Sequence, residues 1–261
     1  MAFAILRSTF TSSMAYIERG KVDSTIIILH LVALLTGISK FSIGGMGALI
    51  LPLLLIAYPD GQALAILIPM FLLTDILTMA VYRHKIAWRI LLRLLVFMVL
   101  GCGIGALLLS YLDPGEFTLA IGSIILGMLV LSIYLERSNS QCIKTPAVAA
   151  GSGVFAGFIS MTANSAGPII SLYMMQQQLG KTSYVSTRAW VAGLVNVAKV
   201  PMLISIGLLN IETAKTSLSA LPSLLVGCAL GFLILKKINL KQMTWAIRVL
   251  ILFAAIKLLF N

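Results

Sequence analysis

Apolar runs close to membrane-crossing length alternate along this chain with short polar or glycine-rich breaks. The stretches at 94–112, 117–135 and 216–235 carry no Asp, Glu, Lys or Arg, and each approaches the ~20 residues that an α-helix needs to cross the hydrocarbon. A fourth run, at 62–81, contains one charge, Asp75, beside Thr74. Two shorter runs, at 25–39 and 48–58, flank a segment containing Lys40, Phe41, Gly44, Gly45 and Gly47, and the second ends at the turn signal Pro59-Asp60-Gly61. A similar interruption follows Gly157: Ser160, Thr162, Asn164 and Ser165 precede Gly167-Pro168. A helix broken by small polar residues inside a bilayer needs protein or water to satisfy its freed backbone groups. The two breaks therefore predict a pair of helical hairpins that span or re-enter, with the interruption at the tip of each.

The pattern repeats. Gly37 and Gly47 recur as Gly157 and Gly167, and Gly101-Cys102-Gly103-Ile104-Gly105 recurs as Gly227-Cys228-Ala229-Leu230-Gly231. Thr118, Ala120 and Ile121 return in order as Thr244, Ala246 and Ile247. Several segments matched in order indicate duplication, with repeat one at about 25–136 and repeat two at about 145–260. Each half holds a broken hairpin and three helices, an odd number of crossings, so the second copy must be inverted. The expected fold is an all-α polytopic membrane protein of two inverted repeats, with about 8–10 membrane segments in one domain at 24–260, preceded by an amphipathic or disordered segment at 1–23.

Composition agrees. Hydrophobic residues make up 60% and charged residues 10%, against about 25% charged in soluble domains. The net charge of +11 does not indicate nucleic acid, because the cations gather at the ends of apolar runs, as on the cytoplasmic side of membrane proteins. Arg83, Lys85, Arg89 and Arg93 form one such cluster, and Lys236, Lys237 and Lys241 another. Inversion lets both be cytoplasmic, with the acidic turn Asp113–Glu116 on the far side; Arg7, Arg19 and Lys21 then fall outside, against the rule. Cys102 and Cys228 sit in apolar runs and Cys142 in a polar loop, a pattern of packing or loop residues. His30 reads as an interhelical residue. No metal cluster, catalytic constellation or cofactor motif is present in the sequence.

The candidate chemistry lies at the breaks. A helix starting after each one would offer backbone N–H groups to an anion; Gly44, Gly45, Gly47 and Gly167 would let it approach, and Asn164 and Ser165 would add donors. The competing reading is that these glycines only allow helices to pack. Asp75 and Lys199 sit inside apolar helices at near-equivalent repeat positions, and intramembrane charges mark function or pairing. They are expected either to pair with each other or to divide the work, Lys199 meeting an anion and Asp75 carrying a proton; the alternative is snorkelling to a nearby helix end. Asn196, one turn before Lys199, shares its face and suits either a substrate or a helix contact. Arg188 beside Trp190 reads as a snorkelling cation.

These breaks, with Gly44-Gly45-Met46-Gly47 and Pro52 in one half and Gly157 with Asn164-Ser165-Ala166-Gly167-Pro168 in the other, resemble the TauE/SafE family of sulfite-exporter-like permeases. Ile86-Ala87-Trp88 after a basic loop and the glycine-rich fourth helix extend the resemblance over about 25–260. It implies transport of small sulfur-containing anions such as sulfite or organosulfonates, and a bacterial inner membrane location. The two tips differ chemically, so analogy assigns no single substrate. The expected function is a secondary permease for small anions working by alternating access, with the lipid bilayer as its other partner and protons as the candidate coupling ion. An anion channel-like pore is the alternative; an intramembrane enzyme would need a catalytic cluster that His30 and His84, in separate contexts, do not supply.

Overall fold

The computed structural model describes residues 24–40, 47–58, 61–137 and 146–234. Among them every regular element is an α-helix: α1 (Ser24–Lys40), α2 (Gly47–Ala57), α3 (Gln62–Val81), α4 (Trp88–Tyr111), α5 (Pro114–Arg137), α6 (Pro146–Thr162), α7 (Gly167–Gln176), α8 (Lys181–Ser205), α9 (Ile211–Ser219) and α10 (Leu221–Ile234). Helices satisfy their own backbone groups, which is what an apolar chain in lipid requires. By length and composition α3 and α4 can each cross a membrane, and α9 with α10 forms a third candidate. The protein is thus multi-pass.

The stretch at 216–235 departs from the continuous span expected. It divides at Ala220, where α9 and α10 meet at 52°. Pro222 is the second residue of α10; proline lacks an N–H and is tolerated in a first turn but not in a helix interior. The start of α9 is fixed by Asn210, whose side chain accepts from the N–H groups of Glu212 and Thr213, both at 2.9 Å. Thr213 Oγ1 in turn accepts from Asn210 N at 3.0 Å, completing a reciprocal cap.

Most of α4 is apolar on every side, so one stripe faces outward. Leu92, Val96, Leu100, Ile104 and Leu107 are exposed at helical spacing, while Leu91, Leu94, Met98, Cys102 and Leu109 are buried. A helix apolar all round belongs in a core or a bilayer. Its inner face crosses α6 through small residues. A Cβ on Gly101 would strike the Val154 carbonyl, and one on Gly157 the Met98 carbonyl; a Cβ on Gly105 would lie 2.8 Å from Met161 Cβ. Cys102 Sγ donates to Gly157 O at 3.3 Å across this crossing. The same kind of crossing joins α1 and α10. There Gly37 abuts Leu224 O and Cys228 N, Gly227 abuts Leu34 O, and His30 Nδ1 and Ser223 Oγ share a hydrogen bond of 2.8 Å. His30 is therefore an interhelical residue, as expected.

Helices α3 and α8 run together at the centre. Gly193 lets α8 approach Met79 and Asp75 on α3. At one end of the pair, Ala87 N donates to Thr187 Oγ1 at 2.9 Å and Trp190 Nε1 to Tyr82 O at 3.2 Å. The Trp88 and Trp190 rings meet edge-on at 5.3 Å and 70°. The basic loop before α4 is thereby tied to α8.

Candidate functional site

Two side-chain clusters lie at the breaks, and α8 contributes to both. In the first, Lys40, the last residue of α1, forms an ion pair with Asp75 on α3. The Lys40 ammonium also sits 5.0 Å from the Phe71 ring centroid, within cation–π range. The other Asp75 oxygen accepts from Asn196 Nδ2 of α8 at 2.6 Å. Asp75 is 2% exposed, and each of its oxygens has a donor, as a buried polar group requires.

In the second cluster, Lys199, one turn beyond Asn196, is 1% exposed. Its ammonium donates to Ser160 O at 2.5 Å and to Asn164 Oδ1 at 2.8 Å. Ser160 lies in the last turn of α6, where carbonyls lack helical partners and the helix dipole is negative. Lys199 therefore caps α6 from a neighbouring helix and keeps its side chain inside the protein rather than snorkelling.

The break itself has a local cause. Asn164 adopts φ 53°, the left-handed conformation that ends helices and that asparagine tolerates better than most residues. Four residues later Pro168 enters the first turn of α7, a position that does not need its missing N–H. Between them Ser165 is buried. Asn164 turns its Oδ1 to Lys199 and leaves Nδ2 buried without a hydrogen-bond partner among the described residues. A buried donor without an acceptor is costly, and it directs attention to this break as a place where an acceptor would be welcome.

The expectations divide accordingly. Asn164 and Lys199 meet directly, Asn196 bonds to Asp75, Ser165 is buried beside Asn164, and Gly167 begins α7 as Gly47 begins α2. Gly44 and Gly45 lie outside the described residues, as do Lys236, Lys237 and Lys241. Asp75 takes its ion pair with Lys40, not with Lys199; α3 and α8 are linked instead through Asn196. Among the described residues no group of His, Cys, Asp or Glu could hold a metal ion.

The family described as Sulfite exporter TauE/SafE matches residues 29–258. The chain belongs to the TauE/SafE family. It is therefore a membrane transporter of the sulfite exporter type, and both clusters fall within the matched region. Searches of curated proteins and of solved structures return no match.

Sequence reasoning on this TauE/SafE chain missed Lys40 as a site residue and Ser160 as a lysine acceptor. A signal for Lys40 was present. Lys40 and Asp75 are separated by 35 positions, and so are Asn164 and Lys199. At each break a residue bonds to a helix residue at the same distance along the chain, with lysine on the break in one case and on the helix in the other.

Proposed function

We propose that this chain is a secondary permease for small anions, sulfur-containing ones such as sulfite or organosulfonates, in the inner membrane of a bacterium. The observation that carries this reading is the pair of lysines at the breaks. Two ammonium groups accompany one carboxylate, Asp75: Lys40 pairs with it, while Lys199 bonds to Ser160 O and Asn164 Oδ1. The spare hydrogen-bonding capacity beside them is a donor, Asn164 Nδ2. An interior with surplus positive charge and an unspent donor suits an acceptor-rich anion. The substrate would lie between the paired breaks, touching Lys199, Asn164, Ser165, Asn196 and the backbone at Gly44, Gly45, Gly47 and Gly167.

Alternating access would come from two inverted halves moving against each other, with binding at the helix breaks. Two glycine-lined crossings, Gly101 with Gly157 and Gly227 with Gly37, support it. In each, a helix of one half lies against the broken helix of the other, so the halves meet on closely packed faces beside the breaks. Asp75 is the candidate proton carrier.

The test is melting of the purified protein against sulfite, sulfate, thiosulfate, methanesulfonate, sulfoacetate, taurine and short carboxylates, since a ligand of the folded form raises its apparent stability. A shift selective for small sulfur anions and lost in Lys199→Met is the expected result. No shift with any anion sinks the reading. In proteoliposomes, saturable flux stimulated by counter-substrate fits a permease, and rapid unsaturable conductance would make the chain a pore.

A further inference from the structure

Building on the anion site proposed above, we infer that the buried charge selects the substrate's charge: the site takes monoanions as they are, and dianions only together with a proton on Asp75. The two clusters, joined along α8 by Asn196 and Lys199, together supply the count. Lys40 and Lys199 contribute two positive charges and Asp75 one negative, leaving a formal surplus of one among the described residues. Each has hydrogen-bonding partners in the bundle. Asp75 accepts from Lys40 on one oxygen and from Asn196 Nδ2 on the other. Lys199 donates to Ser160 O and Asn164 Oδ1 at the negative end of α6.

Other elements packed on α3 do not alter the balance. Helix α2 carries no charged residue. On α9, Glu212 and Lys215 are solvent-facing, and α10 brings Cys228 but no charge. Lys40 of α1 pairs with Asp75, and Lys199 of α8 lies one turn beyond the Asn196 that bonds to it. Uncompensated charge in an apolar interior is expensive. One negative charge brings the cluster to neutrality. A dianion would carry it past neutrality, unless a proton neutralises Asp75 as the dianion arrives.

Methanesulfonate and sulfate test this directly, because both are compact and tetrahedral, and both hold fixed charge between about pH 5.5 and pH 7. Binding to the purified full chain would be followed by calorimetry in buffers of different ionisation enthalpy. Methanesulfonate is expected to bind with no proton uptake and unchanged affinity across that range. Sulfate is expected to bind with one proton taken up, its affinity falling about tenfold for each unit rise in pH. Asp75→Asn raises the formal surplus to two; sulfate should then bind without proton uptake and with no dependence on pH. If Asp75→Asn does not fold, proton uptake by the wild type decides the matter alone.

Sulfate binding to the wild type as tightly as methanesulfonate, without proton uptake, would overturn the charge rule and leave the anion site standing. Failure of both anions to bind the wild type and Asp75→Asn would remove both.

Discussion

At the scale of single residues, glycine does two jobs here, and substitution separates them. Gly157 and Gly101 sit where a Cβ would strike a backbone carbonyl, whereas a Cβ on Gly103, on the same α4, meets nothing within 4 Å. Gly157→Ala should lower stability by about 1–3 kcal/mol through overpacking. Gly103→Ala should be neutral or raise it by up to about 1 kcal/mol, because alanine favours the helix. Melting in one detergent compares them, and equal effects would disprove the contact. Asn164 differs, because its φ of 53° is a conformational demand. Asn164→Ala should cost roughly 1 kcal/mol more than Asn164→Gly, since only glycine escapes the left-handed penalty. Under the proposed function both variants lose anion binding, so stability and binding respond to different features of the same side chain.

Among the helices, breaks matter more than lengths. Three devices interrupt the apolar runs: a left-handed asparagine with Pro168 at α6–α7, Gly207 at φ 77° after α8, and the reciprocal cap with Pro222 around α9. The cap offers a local prediction. Asn210→Ala removes an acceptor for two N–H groups and should cost about 1 kcal/mol. Hydrogen exchange should quicken in the first turn of α9 while protection of α3 and α8 around Asp75 and Lys199 stays unchanged. If protection falls equally in all three, α9 is not an independent unit.

For the whole molecule, the charged centre joins α1, α3, α6 and α8. Lys40→Met leaves the Asp75 carboxylate buried without its cation. Breaking a buried pair from one side costs about 3–5 kcal/mol, and the lower end or less applies here because the Lys40 side chain is 21% exposed. The double variant Lys40→Met/Asp75→Asn removes both charges and should recover much of that loss, measured as a coupling in a double-mutant cycle. Additive losses would mean that the ion pair contributes nothing to the folded state. Anion binding should fall in Lys199→Met whatever happens at Lys40, since Lys199 has its own anchors on α6.

Much was legible from the chain alone. The apolar runs determined the helices because a backbone in hydrocarbon must satisfy itself, and the limits of Gln62–Val81 were readable from Pro59-Asp60-Gly61 on one side and Tyr82-Arg83 on the other. The break at Asn164–Pro168 was visible too, because asparagine, glycine and proline act through their own backbone preferences. So was the family, carried by motif order along residues 29–258. Partnership was not legible. Asp75 and Lys199 stand at matching positions and invite pairing, yet Asp75 takes Lys40 and Lys199 takes the end of α6. The bend at Ala220 was hidden as well, because an apolar run shows hydropathy but not direction. Periodicity and hydropathy are properties of neighbours along the chain, so sequence determined where helices form and end. Which ammonium meets which carboxylate depends on how closely glycine faces let separate helices approach, and only the packed structure decides that.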